Sequence, residues 1–221
     1  MKKWLLLFAV VSFFNADAQF SISSDLSVMR QFGKQQSFWS LAQNVQLSYA
    51  FTRTESLYFS IGNATPHKEI GKYVTQAKVD TFYPKAIGYR ATTSWTTRQF
   101  SAGLKHYFAG THNSETGTNI YGIVGVGLMS VKLLTEYSIG IDTVHYQSIV
   151  PYAGTKAVNR LSADLGVGIE APLRGSFYWY AQAKTWIHAG TIPSNLLTQP
   201  NDKIVPVMLG AGIRVLIGNY E

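Results

Sequence analysis

Along residues 38–53 the odd positions Trp39, Leu41, Gln43, Val45, Leu47, Tyr49 and Phe51 are nearly all apolar or aromatic, while Ser40, Ala42, Asn44, Gln46, Ser48, Ala50 and Thr52 are small or polar. Successive side chains of a strand point to opposite faces, so this pattern predicts a strand with one greasy and one small, polar face. In a soluble sandwich the greasy face points into the core; in a barrel that crosses a membrane it points outward into lipid.

The same period recurs along the chain. Residues 20–33 set Phe20, Ile22, Leu26, Val28 and Phe32 against Ser21, Ser23, Asp25, Ser27 and Gln31. A third strand begins at Leu57, and residues 99–108 set Phe100, Ala102, Leu104 and Phe108 against Gln99, Ser101, Gly103 and Lys105. Residues 120–131 are apolar or glycine in both registers and give no facing. Residues 159–170 set Leu161, Ala163, Leu165, Val167 and Ile169 against Ser162, Asp164, Gly166, Gly168 and Glu170. Residues 177–188 and 204–218 complete eight predicted strands. Polar turns at 52–56, 109–119 and 171–176, the last with Pro172 and Gly175, alternate with the longer intervals 66–92, 134–158 and 189–203, and only the short first outer connection, 33–36, breaks the pattern. Short turns on one side and long loops on the other are the signature of an antiparallel, even-stranded, up-and-down transmembrane β-barrel.

The composition of the polar face separates this reading from a soluble core. A solvent-facing surface carries many Lys and Glu, whereas this face is mostly Ser, Gly, Ala, Asn and Gln, which suits the crowded lumen of an eight-stranded barrel. Its few charges must then be paired, because buried unpaired charge is unstable. Counting about the turn 171–176 places Asp164 opposite Lys184 and Glu170 opposite Tyr178. Asp25 and Arg214 fall at similar heights on the two strands that close the ring, and Lys105 shares the polar face. The expected interior charges are therefore Asp164 with Lys184, Asp25 with Arg214, and Lys105 and Glu170. Aromatic residues gather at the short-turn ends: Phe20, Tyr49, Phe51, Phe59, Phe108, Phe177, Trp179 and Tyr220, a girdle suited to a membrane interface.

The start of the chain gives the setting. Lys2 and Lys3 precede an apolar run over 4–14, too short to span a bilayer, and Ala16-Asp17-Ala18 is a small-x-small cleavage site before Gln19. Residues 1–18 read as a secretory signal peptide and 19–221 as the barrel domain. The formal net charge is +7, and loss of two lysines and one aspartate with the signal leaves +6. A scattered basic balance favours anionic surfaces such as lipopolysaccharide phosphates, and an exported chain has little occasion to meet nucleic acid. There is no cysteine, hence no disulfide and no thiolate metal site.

The small-x-small end Ala16-Asp17-Ala18-Gln19, the strand style of 99–108, 121–131 and 161–170, and the terminal run 210–218 together resemble the small eight-stranded outer-membrane β-barrels of the OmpA and OmpX type, in the form common among Bacteroidetes, often called outer-membrane β-barrel or PorT-like proteins. The resemblance covers the whole mature chain and implies residence in the outer membrane as a monomer without a cofactor. Such barrels usually finish on an aromatic residue; here the end is Gly218-Asn219-Tyr220-Glu221, with Tyr220 in the nearest place.

Candidate chemistry is thin. His112, Ser114 and Glu115 supply a base, a hydroxyl and a carboxylate, and lipid A deacylases of this barrel size use a His-x-Ser pair. These residues fall in a predicted periplasmic turn, which reads as solvated and without the held geometry that nucleophile and base require. His188, at the outer rim, lacks the spacing. The glycines of 122–127 form no complete phosphate-binding fingerprint and lead into no helix. No catalytic, cofactor or metal residue is assigned. Residues 72–89 and 136–150 retain strand-like alternation and predict hairpins above the membrane, whose edges could pair with another protein or whose Lys68, Lys72, Lys78, Lys85 and Arg90 could contact lipopolysaccharide. The expected function is a non-enzymatic integral outer-membrane barrel with a structural or surface-interaction role. A narrow channel or hydrophobic-solute conduit, and a secreted lipocalin-like lipid binder, are the alternatives.

Overall fold

A computed structural model describes residues 19–32, 38–147, 152–190 and 205–218. Eight strands form one closed barrel in sequence order: β1 (Gln19–Phe32), β2 (Phe38–Ala50), β3 (Glu55–Gln76), β4 (Ala86–Ala109), β5 (Asn119–Tyr137), β6 (Gly154–Arg174), β7 (Phe177–His188) and β8 (Val205–Ile217). Every neighbouring pair is antiparallel, and β1 closes on β8 with Asp25 opposite Gly212. The predicted signal segment and Tyr220 lie outside the described residues.

The apolar faces point out. Leu26, Val126 and Leu161 are 72–73% exposed, and Leu41, Leu57, Ile61, Leu104, Val124, Val167, Leu209 and Ile213 share that outer surface, while Ser23, Asp25, Ser48, Ser60, Ser101, Asp164 and Lys184 are buried inside. An exterior of this kind is stable only against hydrocarbon, and closure pairs the backbone around the whole ring. Among the girdle residues, Phe20, Phe51, Phe59, Phe108, Phe177 and Trp179 are on the outer surface. Tyr49 is half-buried, its ring 5.0 Å from that of Phe20.

On β5 the structure supplies the facing that alternation withholds. Tyr121, Ile123, Met129, Val131 and Leu133 point inward, and Ile120, Val124, Val126 and Leu128 outward. Both registers are apolar because the inner face of β5 lines an apolar part of the lumen: Trp95 packs there on Met129, Val131 and Leu133, and a second cluster comprises Met29, Ala42, Ala64, Trp186 and Met208. Missing side chains make the room. A Cβ on Gly62 would come within 2.7 Å of the Trp186 ring, and one on Gly125 would overlap the Tyr58 hydroxyl.

The strands are unequal. β3 to β6 have 22, 24, 19 and 21 residues, against 14, 13, 12 and 13 for β1, β2, β7 and β8. The segments 66–76, 86–98, 132–137 and 154–158, expected in part as loops, instead continue the barrel strands as a four-stranded sheet. An irregularity between Ala64 and His67 shifts the β3–β4 register, so even positions face inward below it and odd positions above.

Candidate functional site

Among the described residues the buried charged groups of the lumen fall in three tiers. Nearest the short turns, Glu170 accepts from Arg214 Nη2 at 2.6 Å, from Lys105 Nζ at 2.9 Å and from the Tyr107 hydroxyl at 2.8 Å. Both cations also lie over aromatic rings: Lys105 Nζ is 3.7 Å from the Tyr121 centroid, and the Arg214 guanidinium carbon 4.2 Å from that of Tyr178. In the next tier Asp25 meets no cation among the described residues. It accepts from Ser27 Oγ (2.6 Å), Gln182 Nε2 (2.8 Å), the Tyr180 hydroxyl (3.0 Å) and Asn44 Nδ2 (3.1 Å). The third tier is Asp164, which meets Lys184 Nζ at 2.9 Å and the Tyr58 hydroxyl at 2.8 Å.

Two details of the expected pairing are corrected. Lys184 is directly opposite Gly166, and Glu170 opposite Tyr180, two residues from the count about the turn. The hairpin closes on Gly175 and Ser176 with an irregularity between Pro172 and Arg174. A slip of two preserves the face, and the long Lys184 side chain still reaches Asp164. The pairing of Asp25 with Arg214 does not form. Arg214 is opposite Ser23 and extends across the ring to Glu170, while neutral donors surround Asp25.

The turn 110–118 is also different from expectation. His112 is 5% exposed and folds against the mouth of the barrel. Its backbone N–H donates to the Arg53 carbonyl at 3.0 Å, and its own carbonyl accepts from Arg214 Nη2 at 2.7 Å. Nδ1 is 3.2 Å from the Arg53 carbonyl and Nε2 is 3.1 Å from the Gln19 amide oxygen. Burial pushes the imidazole below its ordinary pKa, against the opposing pull of the Arg53 carbonyl. The Ser114 hydroxyl donates to the Thr116 carbonyl at 2.8 Å. The turn therefore has a held geometry, one that ties His112 to the barrel wall and Ser114 to its own backbone. His188 sits at the outer rim with Nδ1 2.9 Å from the Gly190 carbonyl.

At the other end, residues 138–147 cross the mouth of the tall half. Ser138 N–H donates to the Arg90 carbonyl, Gln147 N–H to the Gln76 carbonyl and Lys78 N–H to the His145 carbonyl, each at 2.9 Å. Lys78 Nζ donates to the Thr143 carbonyl at 2.8 Å. Phe82 stacks on His145 with centroids 4.4 Å apart, and Asp142 accepts from that imidazole, which holds the Asp142 carboxyl below its usual pKa. Beneath the crossing, Tyr89 and Ala91 pack with Tyr73, Tyr137 and Ile141. Alternation could not reveal this lid, whose contacts are mostly backbone.

One edge of the tall sheet is covered at its top, where Tyr146 bridges Ala77, and is left over below among the described residues. Ala77 N–H donates to the Lys85 carbonyl, toward β4, which in an antiparallel ladder turns the backbone groups of Lys68, Ile70, Lys72 and Val74 the other way. β2 pairs with β3 only as far as Ala42 with Ala64; above that, Thr65 Oγ1 bonds both the amide and the carbonyl of Leu41. Among the described residues no strand covers 66–75 on that side.

The sequence matches no protein-family model and no curated protein. Solved structures do match in shape. The chain is similar to Neisserial surface protein A, with TM-score 0.56 and 9% identity over 90% of this chain and 97% of that one. The chain has the fold of the small eight-stranded outer-membrane β-barrels. Similarity extends to Ail, the attachment invasion locus protein of Yersinia pestis (TM-score 0.47, 14% identity, 89% and 98% of the two chains), and to OprG from Pseudomonas aeruginosa (TM-score 0.46, 11% identity, 91% and 97%).

Proposed function

We propose that the protein is exported by residues 1–18 and resides in the outer membrane as a non-enzymatic barrel with a plugged lumen, whose work is done by the tall extracellular sheet. The observation that carries this reading is the interior. Three hydrogen-bonded tiers share the lumen with two apolar clusters, His112 folds under one mouth, and residues 138–147 cross the other. These features support neither an ion path nor a lipocalin-like apolar cavity with a polar exterior. The β3 edge along 66–75, which no strand covers among the described residues and above which Tyr146 bridges Ala77, supports a docking role: an extended segment of another protein can add to it as a further strand, with outward side chains beside Lys68, Ile70, Lys72 and Val74. Alternating lysines favour a segment with acidic residues at matching positions.

Conductance of the folded mature chain in a planar bilayer tests the plugged lumen, with folding established by a boiled-versus-unboiled gel shift. A silent bilayer is the expected result; steady single-channel currents from folded protein would select the channel instead.

A further inference from the structure

Just above the apolar belt, the outer surface of β3, β4 and β5 changes character within one row of paired residues. The row Ile61, Phe100 and Leu128 is wholly apolar and exposed. The next outward row is Asn63, Arg98 and Ser130; then Thr96 faces Lys132; then Lys68, Ser94 and Leu134 align. Arg98, Lys132 and Lys68 are exposed, and Ser94, Thr96 and Ser130 are half-buried between them. None of these rows contains a carboxylate. The nearest outward one on these strands, Glu136, is a row higher, opposite Thr92.

Same-face neighbours along a strand are about 6.7 Å apart and neighbours across strands about 4.8 Å. Thr96 has Arg98 two residues away on its own strand, Lys132 directly across, and Lys68 on the adjacent diagonal. By these spacings the strand positions of Arg98 and Lys132 are about 8 Å apart and that of Lys68 is about 12–14 Å from both, so three long cationic side chains can reach inward over the two hydroxyls between them. Exposed like charges this close repel, and an anion among them relieves the repulsion through charge-assisted hydrogen bonds. Height identifies the anion. The patch begins one row above the last row that is wholly apolar, where the hydrocarbon of a bilayer gives way to headgroup phosphates.

We infer that Lys68, Arg98 and Lys132, with the hydroxyls of Ser94 and Thr96, form a binding site for the phosphate of a phosphorylated glycolipid in the outer leaflet. The site rests on the outer-membrane reading above and goes beyond it in naming the lipid group and the residues that hold it.

The test uses the mature chain in phosphatidylcholine nanodiscs containing either phosphorylated lipid A or phosphate-free lipid A with the same acyl chains. The readouts are glycolipid retained through purification and the midpoint of the heat-induced gel shift. Phosphorylated lipid A is expected to be retained and to raise the midpoint; the phosphate-free lipid does neither. The triple variant Lys68→Gln, Arg98→Gln, Lys132→Gln keeps its gel shift but binds about tenfold more weakly, while Lys68→Arg with Lys132→Arg binds like the parent. Equal retention of the two lipids, undiminished binding by the triple variant, or complete competition by millimolar inorganic phosphate would overturn the site while leaving the membrane reading intact. Failure of the folded chain to enter nanodiscs would overturn both.

Discussion

Arg214 on β8 and Glu170 on β6 are separated by a whole strand, yet their side chains meet at 2.6 Å inside the ring. Lys105 reaches the second oxygen of the same carboxylate from β4, so one anion holds two cations that would otherwise repel across the lumen. Glu170→Gln is expected to destabilise the barrel by about 3–5 kcal/mol, the range for removing one partner of a buried ion pair. Urea unfolding in detergent micelles, followed by tryptophan fluorescence, measures it. A loss below about 1 kcal/mol would show that water reaches Lys105 and Arg214 and screens them.

Asp25 is held differently, by four neutral donors. Tyr180→Phe removes one of them from a buried carboxylate, with an expected loss of about 1–3 kcal/mol in the same urea assay. Ser24→Ala, one residue from Asp25 on the exposed face, should leave stability within about 0.5 kcal/mol. Equal effects of the two substitutions would mean that the Asp25 tier contributes nothing particular.

His112 makes stability depend on pH. Its folded pKa lies below the ordinary value of 6.5, so between the two values the unfolded chain binds more protons than the folded one, and stability rises with pH. The contribution is complete above about pH 6.5 and is lost as pH falls from there toward the folded value. The heat-induced gel-shift midpoint should therefore drop between pH 7.5 and 5, and His112→Gln should flatten that part of the curve. An unchanged slope in the variant would assign the pH dependence to other groups.

The β3 edge along 66–75, uncovered among the described residues, predicts an alternating exchange pattern. Amides of Lys68, Ile70, Lys72 and Val74 point away from β4 and should exchange with deuterium quickly, while those of Glu69, Gly71 and Tyr73, within the β3–β4 ladder, should be protected. Proline substitution follows the same parity: Ile70→Pro leaves the ladder with β4 intact, and Gly71→Pro breaks it. Uniform protection across 68–74 would mean that another segment already occupies the edge.

The lower barrel was legible because lipid enforces alternation. Wherever one face meets hydrocarbon, as in 20–28 or 161–169, apolar and polar residues must take turns. Above the belt both faces of the sheet are amphipathic: Lys68, Ile70 and Lys72 point out while Glu69, Gly71 and Tyr73 point in, so no period separates strand from loop. The irregularity at Ala64/His67 also inverts the parity just where the pattern weakens. On β5 the ambiguity came from the lumen, where Met129, Val131 and Leu133 replace the small polar residues found lower down. Partners inside the barrel were the hardest to read, because counting along hairpins relates only neighbouring strands, whereas Glu170 is reached from β4 and β8. His112 was misread for a related reason: sequence places it in a polar turn, but only the closed ring puts Arg53, Gln19 and Arg214 around it.

The inequality of the strands also has a directional consequence. Seated in a bilayer, β3 to β6 rise like a wall on one side while β1, β2, β7 and β8 stop near the surface, so the molecule has a front and a back despite its closed ring. On its inner side the wall carries the segment 138–147, packed over Tyr89 and Ala91. Neighbouring lipids meet the cationic outer side alone. Rotation of the barrel about its axis thus decides whether a given neighbour meets the front or the back.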